Sequence, residues 1–336
     1  MKLKNILQGL ENLKLKGDLD LEIEGIESNS KNVKPGFLFI AIKGFSVDGH
    51  KYINNAIENG ARCVMVEEGC DLKELNIPKD VAVVMAKDTR EALAVSSANF
   101  YKNPSKKFKL IGVTGTKGKT TTTFMIKEIL EKAGKKVGLI GTIATYINGK
   151  KLKDSDRTTP EGLELQQLFN QMVEEGVEYV VMEVSSQSLK LHRVDACDFD
   201  IVLFTNFSED HISEKEHPNM QDYFESKLKL FKMCKTGIVN TDDLHGAKIP
   251  NMFKENDISN IFVSKFTVIK PSYLFFFPLS SSWTNCLTII LSSNGCFTPF
   301  ISWYGSWPFP ASTIKSLFVA IFIASFIAST LSTTTL

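Results

Sequence analysis

Short apolar runs alternate with longer amphipathic stretches from residue 37 onward, and most are closed by a glycine, a proline or a polar string. The runs at 37–42, 63–66 and 81–85 have the length of buried strands, while 52–59 and 90–101 carry helical spacing. Residues 103–107 are polar and hold the helix-stopping Pro104, which predicts a domain boundary there. Beyond it, 109–113 reads as a β-branched strand leading into Thr114-Gly115-Thr116-Lys117-Gly118-Lys119-Thr120-Thr121. A helix follows, with Phe124, Ile126, Ile129, Leu130 and Ala133 expected on one apolar face and Gly134 as its stop. Further strands are expected at 137–140, 178–184, 200–205 and 237–240. Strand–helix repetition at this spacing predicts an α/β fold with a mostly parallel sheet and ligands at the carboxyl ends of its strands.

Composition narrows the classes. The 336 residues are 43% hydrophobic and 23% charged with net charge +1, enough chain for two or three domains. So even a balance argues against nucleic acid as a partner, which would call for a clustered basic face. Six cysteines without a CxxC pair read as free thiols in a reducing compartment, and residues 1–16 lack the apolar run of a secretory signal. A cytoplasmic protein is therefore expected. The averages conceal a break near residue 265. Residues 266–336 hold no acidic side chain and only Lys270 and Lys315 as bases, with all three tryptophans.

The string 115–120, set between strand and helix, is the sharpest chemical signal. Its glycines let backbone N–H groups approach phosphate, Lys119 can reach the outer phosphates, and the Thr120 hydroxyl can ligate Mg²⁺. The strict phosphate-loop pattern wants glycine where Val113 stands. Glu183 ends an apolar run, where a second metal ligand would be needed, although a solvated strand-end acid gives the same pattern. Asp210-His211 follows the next strand, and His211 reads either as exposed or as a metal or phosphate contact. Thr158, Thr159, Ser185 and Arg193 supply the hydroxyls and guanidinium expected around an anion. Lys227, inside Tyr223-Phe224-Glu225-Ser226-Lys227, reads locally as a helix-surface lysine.

In chain order, the motifs are Asn29-Ser30-Lys31, Asp48-Gly49-His50, the 114–121 string, Met182-Glu183-Val184-Ser185-Ser186, Leu191-His192-Arg193-Val194 and Thr205-Asn206-Phe207-Ser208-Glu209-Asp210-His211. Together they resemble the Mur ligase family, over roughly residues 20–245, and within it the branch that adds the third amino acid of the peptidoglycan stem. The resemblance implies a UDP-binding α/β domain over 1–105 and a central ATP-binding domain with a phosphate-loop-type, mostly parallel sheet over 106–265. It implies ATP-dependent amide ligation through an acyl phosphate, on UDP-N-acetylmuramoyl-L-alanyl-D-glutamate, with meso-diaminopimelate or L-lysine as the incoming amino acid. It implies an ATP loop of Gly115, Thr116, Lys117, Gly118, Lys119, Thr120 and Thr121, with Asn240 toward the adenine. One Mg²⁺ would be held by Thr120 and Glu183, and a second by His211 with Lys227, carbamylated in this family. Ser28, Ser30, Phe45, Ser46 and Val47 would meet the uridine nucleotide, and Thr158, Thr159, Ser185 and Arg193 the muramoyl-dipeptide. Asn29 stands for the family's usual Asp, and Lys117 for its usual Asn.

The family's third domain has no counterpart motif in 266–336, so the expectation is a chain with that domain missing or replaced and ligation incomplete. The tail is expected to come from a frameshift, a rearrangement or a wrong-strand read; Lys and Glu codons read on the complementary strand give Phe and Leu, which would turn a charged domain into such a tail. Resequencing the locus tests this; an uninterrupted gene encoding the tail would reject it. Two other readings remain at this stage. A folylpolyglutamate synthetase-like ligase shares the ATP loop but not the 29–50 motifs. A membrane-tethered, non-catalytic nucleotide-binding module would need the uncharged segment 316–331 to insert.

Overall fold

The computed structural model describes residues 1–71, 76–210, 212–213, 216–253 and, as backbone strand, 260–264. His211 and the tail from 265 onward lie outside the described residues.

Two sheets divide the chain. The first is built from β1 (Lys14–Lys16), β2 (Gly25–Glu27), β3 (Phe37–Ile40), β4 (Cys63–Glu67) and β5 (Ala82–Ala86), in the order β1-β5-β4-β3-β2. Only its β1–β5 edge is antiparallel. Helices α1 (Leu3–Ile6), α2 (Ile53–Glu58) and α3 (Thr89–Phe100) cover it. Asp88 starts α3 by accepting from the amides of Arg90 and Glu91, satisfying two of the donors a helix leaves open. Leu3, Ile6, Leu38, Ile40 and Ala92 pack one face of this sheet, and Phe39, Val64, Ile53 and Ala56 the other.

The second sheet has eight strands: β6 (Lys109–Thr114), β7 (Val137–Ile140), β8 (Ala144–Ile147), β9 (Lys150–Asp154), β10 (Tyr179–Glu183), β11 (Phe199–Phe204), β12 (Cys234–Asn240) and β13 (Asn260–Ser264). Their order is β13-β12-β11-β6-β10-β7-β8-β9, parallel from β13 to β7. Strands β8 and β9 return antiparallel through a turn at Asn148-Gly149, both at positive φ (49° and 79°). Five of its helices are α4 (Lys119–Lys132), α5 (Gly162–Glu174), α6 (Ser186–Lys190), α7 (Met220–Leu228) and α8 (Ile249–Met252).

The face of α4 that meets the sheet keeps Ile126 and Leu130 of the expected stripe but differs from it elsewhere. Thr122, Thr123, Ile126, Lys127 and Leu130 are buried, Phe124 and Ile129 only partly, and Ala133 is exposed. On the opposite face, Leu165, Phe169 and Met172 of α5 pack with Phe199, Phe204 and Tyr223. Helices α3 and α5 join the two sheets: a Cβ on Gly162 would lie 3.2 Å from Ala94 Cα.

Candidate active site

The carboxyl ends of β6, β7, β10 and β11 meet at one edge of the larger sheet, and the string 115–118 leaves β6 there. Gly115 sits at φ +140°, and a Cβ on it would come within 2.0 Å of Thr205 Oγ1. Gly118, at φ +84°, opens α4. These conformations and this closeness require glycine. The segment after β11 clamps the loop. Asn206 accepts from Thr116 N and Lys117 N at 2.9 Å, while Thr205 Oγ1 and Asn206 Nδ2 donate to the Lys117 carbonyl at 2.8 and 2.9 Å. Thr116 Oγ1 accepts from Ser208 N and from the Tyr223 hydroxyl. Thr121 follows on the first turn of α4, partly exposed.

Two lysines converge on this loop. Lys119 Nζ donates to the carbonyls of Gly115 and Thr116, and Lys227 Nζ donates to the same Gly115 carbonyl at 2.9 Å. Lys227 is 1% exposed, with its ammonium 4.3 Å from the centre of the Tyr223 ring. The surface reading of this residue is overturned. Asn219 caps α7, and Tyr223 and Phe224 of α7 pack inward, so the lysine one turn on follows them into the interior. Burial lowers the pKa of Lys119, and lowers that of Lys227 much further, with the Lys119 charge adding to the effect.

Glu183, 1% exposed, is no solvated acid either. Its carboxylate accepts from Thr120 Oγ1 at 3.0 Å, Thr142 N at 2.9 Å and Thr142 Oγ1 at 3.1 Å. A Cβ on Gly141 would stand 2.4 Å from Glu183 Oε1, so glycine at the end of β7 is what makes room for the carboxylate. Thr158 shares a hydroxyl contact with Thr142 at 3.0 Å. Thr159 Oγ1 donates to the Glu183 carbonyl and accepts from Ser185 N, and Ser185 Oγ caps α6. Arg193, 7% exposed, donates to the Thr159 carbonyl and pairs with Glu161 at 2.8 Å, while its buried Nε has no partner among the described residues.

Two cavities open on these groups. One, of about 260 Å³, is lined by Lys119, Thr158, Thr159, Ser185, Arg193 and Lys227, among others. The other, about 360 Å³, lies between the two sheets and is lined by Ser28, Phe45, Ser46, Arg90, Arg157, Glu161 and Arg193. Ser30 is buried outside both linings, its carbonyl held by the Asn59 amide, and Val47 is exposed on the loop whose Gly44 N it ties down. The Asn240 side chain is committed to the Thr205 carbonyl at 2.9 Å and the Asp242 amide at 3.1 Å. His211 has no described position. Thr142, Arg90 and Arg157 were not anticipated, nor was the pairing of Glu161 with Arg193. Thr142 was within reach of sequence reasoning, as the first hydroxyl after an expected parallel strand.

Residues 113–271 match the model described as "Mur ligase middle domain", and residues 22–101 the one described as "Mur ligase family, catalytic domain". A UDP-N-acetylmuramoyl-L-alanyl-D-glutamate–2,6-diaminopimelate ligase of Clostridium botulinum is 51% identical over 249 residues, which is 74% of this chain and 50% of the relative. The protein of the same name from Clostridium tetani is 48% identical over 255 residues, 76% of this chain and 52% of the relative. The chain thus spans about half the length of the curated relatives it matches. A solved structure of a ligase of that name superposes with TM-score 0.72 at 21% identity, covering 98% of this chain and 64% of that one. MurF from Acinetobacter baumannii superposes with TM-score 0.53 at 19% identity, covering 78% and 52%.

Proposed function

The chain belongs to the Mur ligase family, whose N-terminal and middle domains it carries, and from that premise we propose an ATP-dependent amide ligase acting on UDP-N-acetylmuramoyl-L-alanyl-D-glutamate. The names of its relatives favour 2,6-diaminopimelate over L-lysine as the incoming amine. Such chemistry belongs in the cytoplasm, where ATP and UDP-sugars are made. Among the described residues no helix is long and apolar enough to cross a membrane; segment 316–331 lies outside them.

The observation that carries this reading is the hydrogen bond from Thr120 to the buried Glu183 carboxylate, beneath a glycine loop on which Lys119 and Lys227 converge. Backbone N–H groups of residues 118–121, beyond the two amides that Asn206 holds, would receive the phosphates, and Lys119 would exchange its two loop carbonyls for phosphate oxygen. Thr120, Glu183 and Thr142 form a hard-oxygen set suited to Mg²⁺, which when bound neutralises charge on the transferred phosphoryl group. Lys227 fits carbamylation, because only a neutral amine adds CO₂ and burial favours that form. The resulting anion would attract Lys119 instead of repelling it, and would join His211 at a second ion. Thr158, Thr159, Ser185 and Arg193 would hold the dipeptide, with the unpartnered Arg193 Nε directed to its carboxylate. Ser28, Phe45 and Ser46 would line the uridine end, while Ser30 and Val47 shape it through their backbone contacts.

Calorimetric titration with a non-hydrolysable ATP analogue plus Mg²⁺, and separately with the UDP-sugar dipeptide, tests the proposal. Binding of both is expected. A folded protein that binds neither overturns the reading. Diaminopimelate-dependent release of phosphate then measures how far this chain carries the ligation.

A further inference from the structure

One residue beyond Ser185, a hydrogen-bonded chain leads from Ser186 through His217 to Asp222 on α7. Ser186 Oγ lies 2.9 Å from His217 Nε2, and His217 Nδ1 lies 2.6 Å from Asp222 Oδ2. Lys190 Nζ donates to the same Asp222 oxygen at 2.9 Å and to the Glu216 carbonyl at 3.0 Å, fixing the carboxylate. His217 is fully buried and Ser186 is 5% exposed, yet both line the cavity of about 260 Å³. With Asp222 accepting from Nδ1–H, the Nε2 lone pair faces the serine hydroxyl. This tautomer is assigned from the hydrogen bonds. Burial keeps the imidazole below its ordinary pKa against the pull of Asp222, so a neutral base stands beside the hydroxyl at pH 7; Lys190 and Lys227 are the cations acting on it. Hydroxyl, imidazole and carboxylate at these spacings are the groups that activate a serine. Lys119 and Arg193 in the same cavity favour an anionic acyl donor.

We propose that Ser186 is an activated nucleophile, with His217 as its base and Asp222 as the orienting carboxylate, and that it accepts acyl groups from acyl phosphates. Ser186 Oγ bonds to the acyl carbon as the bond from that carbon to the phosphate oxygen breaks, its electron pair leaving with phosphate. The serine proton passes to His217 Nε2 and on to the departing phosphate. Water then attacks the ester, giving its proton to His217; the ester C–O bond breaks and Ser186 takes the proton back. The balance is acyl phosphate plus water to hydrogen phosphate plus the carboxylic acid, which ionises and releases its proton to solvent, with no nucleotide or divalent ion required.

The full chain in EDTA, without nucleotide, is treated with diisopropyl fluorophosphate and mapped by peptide mass spectrometry. Ser186 is expected to be labelled about 100-fold faster in the native protein than in the urea-denatured chain, the scale of positioned general-base help. Ser186→Ala should abolish that label. His217→Gln should slow it by about 100-fold, and acetyl phosphate hydrolysis should fall in the same order. Native protein left unlabelled at Ser186, or labelled equally fast after His217→Gln with an unchanged circular dichroism spectrum, overturns the proposal. If His217→Gln does not fold, the native-to-denatured ratio and Asp222→Asn decide. Nucleotide binding is read separately by calorimetry, so the ligase reading and this one fail independently.

Discussion

The Lys227 amine lies where water cannot reach it, so a charge there is costly, and its contact with the Gly115 carbonyl offsets only part of that cost. Replacing it by an apolar chain of similar length should therefore stabilise the fold while removing function. Lys227→Met is expected to raise stability by about 1 kcal/mol or more, read as a higher melting temperature, with loss of substrate-dependent phosphate release. The sign with pH follows from the depressed pKa. Below the folded value the ammonium is charged in both folded and unfolded chains, and the full cost is present. As pH rises from the folded value toward 10.5 the cost is relieved, so the gap between variant and wild type should shrink in alkaline buffer. Glu183→Gln keeps the shape but not the charge. It is expected to weaken Mg²⁺-dependent nucleotide binding by about 10–100-fold, while binding measured in EDTA changes little.

The loop between β6 and α4 works because two of its residues have no side chain. Gly115→Ala must leave a positive-φ conformation and displace Thr205 Oγ1 from the Lys117 carbonyl. A cost of about 2 kcal/mol in stability is expected, together with loss of calorimetric nucleotide binding. That loop was legible from its spacing, and so were β6, β10, β11 and β12, whose apolar runs suit strands covered on both faces. The β8–β9 hairpin was not read, although Asn148-Gly149 is a hairpin signal, because Lys150, Lys151 and Lys153 look like solvated chain. Helix α5 also went unread despite apolar residues at 165, 168, 169 and 172. The depth of Lys227 was hidden for another reason. It follows from how α7 packs Tyr223 and Phe224 against residues far away in sequence, which no local pattern holds. Arg157 and Glu161 pair locally at 3.4 Å, but Arg90 joins them only once α3 has docked on α5.

Across the whole molecule, that docking sets the width of the larger cavity. Ala94 is 1% exposed against Gly162, so Ala94→Leu should force α3 and α5 apart, at about 1–3 kcal/mol, and weaken UDP-sugar binding more than nucleotide binding. His192, at φ +59°, adds an ionic tie: its ring contacts Asp195 and lies 3.7 Å from Asp88 at the start of α3. The hydrogen bond to Asp195 raises its pKa, so the tie is fully present below 6.5 and fades as pH climbs through the raised folded value. Compared with His192→Gln, the wild type should be more stable by about 0.5 kcal/mol at pH 5.5, and by less at pH 8.5, in paired thermal melts. The outermost ribbon, β9, bears on how molecules meet one another. All five of its residues face solvent, and four of them are ionised. A second molecule trying to extend the sheet there would have to strip water from three ammonium groups and lay its own backbone beside them. Crowding in the cell should thus leave this border solitary, and fibrils seeded from concentrated protein should not propagate through it.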